Sequence, residues 1–400
     1  MPRKSQKAKC IDGIVYSALQ DFILAENSDD EEQVLEVCFE NLYAVVGFRY
    51  GVDLTHGSVK KSRAWCTSVL PNMDQDRFRQ MMRVNWAQFQ TIVDLIKDDA
   101  VFKSKLQFPV EVQLMIVLYR LGSYGEGASI AKIANLFGVG DGGTVDIVTR
   151  RIFRAILALK SRFLTWMNAE ERAKIVAETY DELPYCVGYI DGTEIPLAEK
   201  PVTSPDDYYS RKQRFSIKAQ IVCDRHLVVR SLTVGHPGCV HDARIYALSE
   251  LGRRTPDFLS NHQWIAGDSA YKLTTTLITP YKRSAGVPLP ENQVRFNKIF
   301  SKYRVRVEHT FGSMKERFCS LKELKVRIID EKSVRFVCEW FTVCVLLNNI
   351  IRTTSNDDEP FEAEDSDHET EEISEINNAY DGEAVNEGVH KREAIAELIL

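Results

Sequence analysis

Residues 184–193, PYCVGYIDGT, mark where a helical chain becomes a β-rich one. The apolar run 185–190 is short, as in a strand buried on both faces. It ends on Asp191 and Gly192. An acid at the end of a buried strand is held rigidly, and the glycine leaves room for a ligand's backbone to approach. Downstream, residues 215–223 alternate, with Phe215, Ile217, Ala219 and Ile221 on one face, and residues 226–234 do so more loosely. Residues 264–266 and 277–279 read as two more short strands. Residues 292–321 and 332–351 then read as long helices. Strands and helices in mixed order predict an α/β fold, a five-stranded mixed sheet flanked by helices.

Upstream of Pro184 the pattern is helical. Residues 74–99 carry Phe78, Met81, Met82, Trp86, Phe89, Ile92, Val93 and Leu95 near helical spacing, and Pro109 opens an apolar helix over 110–121. Residues 127–156 read as two helices around the turn 138–140, with Asp141 placed to cap the second. A small Ala134 and a glycine turn suit a helix-turn-helix; an ordinary helical hairpin fits the same pattern. A DNA-reading helix-turn-helix would use Lys132, Arg150 and Arg151 on phosphates. Residues 168–182 form a last amphipathic helix before the strands. Residues 1–60 predict a short helical arm, partly mobile.

Composition narrows the function. The chain has 400 residues, 44% hydrophobic, and nine scattered cysteines without a CxxC. The charged start MPRKSQKAKC is not followed by an apolar core, so an intracellular, reduced protein is expected. The apolar run 341–351 is too short to span a membrane and contains two asparagines, so no membrane partner is expected. Residues 353–400 hold 16 acids against Lys391 and Arg392, a net −14. The remainder holds 49 basic against 41 acidic residues, a net +8. A basic body suits phosphate binding. Residues 353–380 read as disordered and 389–400 as a small terminal helix.

Two further acids join Asp191. Asp268 lies in WIAGDSAY, residues 264–271, again just past a strand and beside a glycine. Glu308 lies in YRVRVEHTFGSMKERFCSL, residues 303–321, on the helical face shared by Arg304 and Lys315, with Val305, Val307, Phe311 and Met314 able to pack beneath. Taken alone, Glu308 reads as a charge that neutralises its neighbours. With Asp191 and Asp268 it completes a three-carboxylate site. Hard divalent cations prefer oxygen ligands, and two such ions can activate water or a 3′-hydroxyl against a phosphodiester. The loop GHPGCVHDAR, 235–244, holds His236, Cys239 and His241, but no second ligand pair follows at zinc spacing. It reads as a tight loop opening a helix, with Asp242 capping that helix or lying near the metals.

The runs GYIDGTEIPL, GHPGCVHDARIY, AGDSAYKLTTTLITPY and FNKIFSKYRVRVEHTFGSMKERF, in that order, resemble the Harbinger (PIF) type of DDE transposase, a family with domesticated, transposase-derived nucleases. The resemblance covers about residues 75–350. It implies a ribonuclease-H-like catalytic fold over 184–352, behind a helical region over 61–183 with a helix-turn-helix at about 127–157. It implies Mg²⁺ or Mn²⁺, two ions, on a triad of Asp191, Asp268 and Glu308. It places His241, Asp242 and His309 near that triad. Cys239 stands where the family commonly has Ser, and His309 where it often has Arg. Lys212, Arg214, Lys272, Arg304, Arg306, Lys315 and Arg317 become candidate DNA-backbone contacts. The implied partners are double-stranded DNA at terminal inverted repeats and target sites, a Myb-like DNA-binding protein, and further copies of the chain. Residence in the nucleus, with a cytoplasmic pool and import through the partner, follows from the same resemblance. The expected function is a DNA endonuclease and strand transferase. The alternative is a domesticated protein that binds DNA or the Myb-like partner and no longer transposes.

Overall fold

The computed structural model describes residues 6–25, 28–47, 62–103, 107–140, 143–283, 287–354 and 382–400. They divide into two units, Met1–Lys61 and Ser62–Leu400. The first unit contains two helices, α1 (Gln6–Leu24) and α2 (Ser28–Gly47), packed against each other across a short connection.

The second unit is built around a five-stranded sheet. Its strands are β1 (Cys186–Pro196), β2 (Ser216–Cys223), β3 (Val229–Pro237), β4 (Trp264–Ala266) and β5 (Leu277–Ile278), in the order β3-β2-β1-β4-β5. β1, β2 and β3 pair antiparallel, while β1, β4 and β5 pair parallel. The sheet is therefore mixed, as the strand pattern predicts. One face carries Tyr189, Ile217, Ala219, Ile221, Trp264 and Ala266 into the main core, under Phe296, Phe300 and Val307 of the Glu291–Arg317 helix. The other carries Val187, Ile190, Val222, Ile265 and Leu277 into a smaller core with Leu251 and Tyr271. Trp264 stacks on Phe300 at 6.2 Å, locking the helix over the strand that leads to Asp268.

Two strand readings change. β1 does not stop before Asp191 but continues to Pro196, because β2 keeps pairing with it through Asp191–Ile221 and Gly192–Gln220 to Pro196–Ser216. β3 begins at Val229, three residues later than the alternation suggests. The fully buried Asp224 accepts the backbone N–H groups of His226 and Val228 at 2.8 and 3.1 Å, closing a tight turn there.

The helical part holds Gln75–Met82, Trp86–Ile96, Val110–Leu121, Ile130–Phe137, Thr144–Leu157 and Ala169–Thr179. Asn85 with Gln88, and Asn168 with Glu171, form reciprocal caps that start two of them. Gly138 ends the Ile130–Phe137 helix in the left-handed conformation, at φ 62°. Asp141 lies outside the described residues, and Gly143 stands at the N-cap of the next helix. That helix packs against Val110–Leu121 and against Glu331–Thr354, where Phe153 meets Trp340 and Phe336. The Glu331–Thr354 helix is long and apolar enough to cross a membrane, yet most of it is buried in this core.

The acidic run 355–381 lies outside the described residues. The chain's last helix, Gly382–Ile399, is docked rather than loose. Lys391 donates to the carbonyls of Asn261 and Gln263 at 3.1 and 3.2 Å. Arg392 donates to Thr279 and Pro280 and lies over the Tyr281 ring at 3.8 Å, while Ile395 and Ala396 are buried. The only two basic residues of the acidic end therefore anchor it beside β5.

Candidate active site

The parallel pairing of β1 with β4 ends at Tyr189 opposite Ala266. Asp191 and Asp268 each lie two residues beyond that pair. Side chains alternate across a strand, so Asp191, inside β1, continues the face of Tyr189, while Asp268 lies past the end of β4 with its charge felt at Asp191. That face is covered by the Glu291–Arg317 helix, which brings Glu308 to the same edge. Three carboxylates spread over 117 residues of sequence (191 to 308) thus come to one edge, near enough that the charges of Asp268 and Glu308 bear on Asp191.

Their electrostatics record the convergence. Burial pushes Asp191 up to about 7, and the charges of Asp268 and Glu308 push the same way, against the opposing pull of Arg304 and of the Gly192 N–H that Asp191 accepts at 2.8 Å. Burial also raises Asp268, with Asp242 adding to the rise and Arg304, the Ala270 N–H and Lys282 opposing it. Arg304 donates to Glu308 one turn away. It is the cation that balances all three acids.

Among the described residues, no three His, Cys, Asp or Glu side chains close into a metal cage. The donor set itself suits a hard divalent ion: carboxylate oxygens only, two of them raised mainly by burial and further by neighbouring negative charge. Asp191, Asp268 and Glu308 are the residues that could hold it.

Asp242 is a fourth acid at the edge, and it is not a helix cap. His241 occupies the N-cap of the Asp242–Leu248 helix without a side-chain bond, and Asp242 is the first residue inside. Its carboxylate pairs with Lys218 at 3.0 Å. A Cβ on Gly192 would lie 2.5 Å from its Oδ1, so the glycine makes room for Asp242 rather than for a ligand. Gln220 donates to the Asp242 carbonyl at 3.0 Å and to the Tyr271 hydroxyl at 2.8 Å, bracing the sheet face opposite Asp191. Lys218, Gln220 and Lys282 were not legible as site residues. The available signal was the pair Lys218 and Gln220, polar positions inside an otherwise buried strand.

A basic group adjoins the acids. Lys315 donates to the Thr193 hydroxyl at 2.6 Å and to the Glu194 carbonyl at 3.1 Å. Burial lowers its ammonium to about 8, helped by Arg214 and Lys212 and opposed by Glu194 and Asp191. Arg214 pairs with Glu194 at 3.1 Å, and Lys212 is exposed beside it. His241 lies 3.0 Å from Arg211, exposed, with its ring held below its ordinary value mainly by partial burial. His309 is exposed next to Glu308, Lys272 is exposed, and Arg317 is half-buried.

Arg306 corrects the sequence reading. It is buried and forks onto Glu182 at 2.7 and 3.0 Å, with a further bond to the Tyr189 hydroxyl at 2.6 Å. It ties the helix to the floor of β1 and presents nothing to DNA. Of the helical-region candidates, Lys132 pairs with Glu126 at 3.0 Å, Arg151 donates to Gln113 at 3.0 Å, and exposed Arg150 lies over Phe336 at 4.5 Å. No described contact links these three to the acids.

A family profile of DDE superfamily endonucleases matches residues 190–349, a span that begins one residue before Asp191 and includes Asp268 and Glu308. Over that span the chain is similar to DDE superfamily endonucleases, in line with its resemblance to Harbinger-type DDE transposases. It is 26% identical over 300 residues to "Protein ALP1-like" of Arabidopsis thaliana, covering 70% of this chain and 71% of that protein. It is 23% identical over 239 residues to "Putative nuclease HARBI1" of Homo sapiens, covering 58% and 66%. It is 24% identical over 250 residues to "Probable transposase for insertion sequence element IS702" of Microchaete diplosiphon, covering 60% and 83%. No solved structure matches the chain. DDE endonucleases generally use divalent metal ions. The carboxylate edge lies inside the matched region, whereas the Ile130–Phe137 and Thr144–Leu157 helices lie outside it.

Proposed function

We propose that this DDE protein is a metal-dependent DNA endonuclease that cuts phosphodiesters at element ends and passes the 3′-hydroxyl strand to target DNA. The observation that carries the reading is the placement of Asp191 and Asp268 two residues past the Tyr189–Ala266 pair, under the helix that bears Glu308. These three would hold Mg²⁺ or Mn²⁺, two ions in the reading favoured here. Bound there, the ions would make a water or 3′-hydroxyl a better nucleophile and stabilise the leaving oxygen.

The chain's own residues supply the rest. Half-buried Asp191 and Asp268 are held at the end of a parallel ladder, so they need little rearrangement to face a ligand. Arg304 balances their charge and lies where a scissile phosphate would approach. Lys212, Arg214 and Lys315 form a cationic flank to orient the DNA backbone. The Lys218–Asp242–Gln220–Tyr271 network keeps the opposite face of β1 from yielding. The strand order and mixed pairing support a ribonuclease-H-like sheet. The helices around Gly138 support a helix-turn-helix, whose second helix exposes Ile147, Arg150 and Arg154 in one stripe.

Nuclear residence, a Myb-like partner and assembly of several copies belong to the same reading, because two element ends must be brought together. The relatives' names include both a nuclease and a transposase, so a domesticated protein that binds DNA or the Myb-like partner and no longer transposes is the second reading, and a nuclease without strand transfer the third. Cleavage of terminal-repeat DNA with Mg²⁺ or Mn²⁺ tests the proposal. Asp191→Ala, Asp268→Ala and Glu308→Ala should each abolish cutting while leaving DNA binding largely intact. Full cutting by any one of them would sink the assignment, and cutting without strand transfer would favour the nuclease.

A further inference from the structure

The parallel side of the sheet sends a third segment to the carboxylate edge. β5 pairs with β4 only through Leu277–Ile265 and Ile278–Ala266, and it is the outermost strand of the described sheet. Pro280 therefore lies two residues past that pair on β5, as Asp268 does on β4. Thr279 and Pro280 are buried, Tyr281 is half-buried and Lys282 is exposed, so the chain surfaces at Lys282. Burial raises Asp268, and Lys282 is among the charges that draw it back down, which places the ammonium near that acid. Among the described residues no carboxylate forms an ion pair with Lys282, which leaves it for a ligand.

Backbone past the end of an edge strand has no ladder to hold it, yet its polar groups still need partners. Here side chains from two helices supply them. Asn297, on the Glu291–Arg317 helix, donates to the Tyr281 carbonyl at 2.9 Å and accepts the Tyr281 N–H at 2.8 Å. Arg392, on the chain's last helix, donates to the Thr279 and Pro280 carbonyls, both at 3.3 Å, and lies over the Tyr281 ring. The three carbonyls that lead to Lys282 are thus all taken. One turn before Arg392, Gly388 packs on Thr274, where a Cβ would lie 3.0 to 3.2 Å from backbone atoms. The last helix therefore meets both the entry and the exit of β5. An exposed lysine turns freely about its stem, so its ammonium is only as well placed as its backbone.

On the DDE reading of this edge, we propose that Lys282 is a further contact for a DNA backbone phosphate, and that Arg392 is the positioning residue that holds it there from the last helix.

The test uses the full chain and three readouts. Hydrogen exchange without DNA reads the support alone. Arg392→Met and, separately, Gly388→Val should speed exchange across residues 277–283 by about tenfold while residues 187–190 stay protected. Binding to a random-sequence duplex without metal reads the contact. Lys282→Gln should lower the slope of log affinity against log salt by about 0.9. Arg392→Met should weaken binding in the parent and add nothing in the Lys282→Gln background, because it acts through that lysine. Cutting of terminal-repeat DNA with Mn²⁺ should follow the same pattern. Losses from Arg392→Met and Lys282→Gln that simply multiply would reduce the helix to a fold support and overturn the positioning role, as would unchanged exchange at 277–283 in both variants. An unaltered salt slope in Lys282→Gln would overturn the phosphate contact. A parent that cuts nothing, with slope and coupling as expected, would end the endonuclease reading and still support this contact.

Discussion

Replacing Asp191 with Asn should stabilise this protein at neutral and alkaline pH while destroying its chemistry. In the folded chain the carboxyl titrates near 7 instead of its ordinary 3.8, chiefly through burial and then through Asp268. The unfolded chain therefore releases this proton first, and folding takes one up between about pH 4 and 7. The sign follows from linkage. The contribution is fully present below pH 4 and is lost as pH rises through 7. The displacement from 3.8 to 7 corresponds to about 4 kcal/mol as a ceiling, and partial solvent screening lowers the expected gain to about 2–4 kcal/mol. Asn keeps the oxygen that accepts the Gly192 N–H and carries no charge, so it escapes the loss. Melting curves at pH 5, 6, 7 and 8 should show the variant above the parent by a margin that widens with pH, about 2–6 °C at pH 8 for a chain of this size. Adding Mn²⁺ at pH 8 should raise the parent's transition and leave the variant's nearly still. A pH-independent gain, or a loss at pH 8, would refute the claim that the folded chain penalises the ionised Asp191 carboxylate.

Three other substitutions probe the supports. Gly192→Ala forces a Cβ to 2.5 Å from the Asp242 carboxylate and should cost about 1–3 kcal/mol, read as a lower melting temperature; an unchanged melt would mean Asp242 moves freely. Arg306→Leu leaves Glu182 without its buried partner and should cost about 3–5 kcal/mol in denaturant titrations. A well-folded Arg306→Leu protein that merely binds DNA more weakly would restore the surface reading rejected above. Lys212→Gln and Arg214→Gln should each lower the slope of log affinity against log salt by about 0.9, with no change in melting for exposed Lys212→Gln, and an unaltered slope removes that residue from the phosphate track.

Much of the edge was legible in local pattern. Strands and helices write their periodicities into consecutive residues, so the short runs before Asp191 and Asp268 and the helix around Glu308 could be read directly. The Asp–Gly pairing at residues 191–192 was visible, but its reason was not. Nothing near Gly192 in sequence reveals that Asp242, 50 residues on, fills the space a side chain would take.

What the sequence alone determined is the kind of elements, the acids that end or interrupt them, and the family whose motif order they share. What only the tertiary structure decided is which charges face inward. Arg304 and Arg306 are two residues apart on one helix and look equivalent as letters. A helix turns about 200° over two residues, so one guanidinium pairs with Glu308 and bears by charge on Asp191 and Asp268, while the other is buried on Glu182, 124 residues away. The acidic end is divided in the same way. Lys391 and Arg392 looked like stray positive charges, and they are the pins of a docked helix, because backbone carbonyls at 261, 263, 279 and 280 converge there only after the chain has folded.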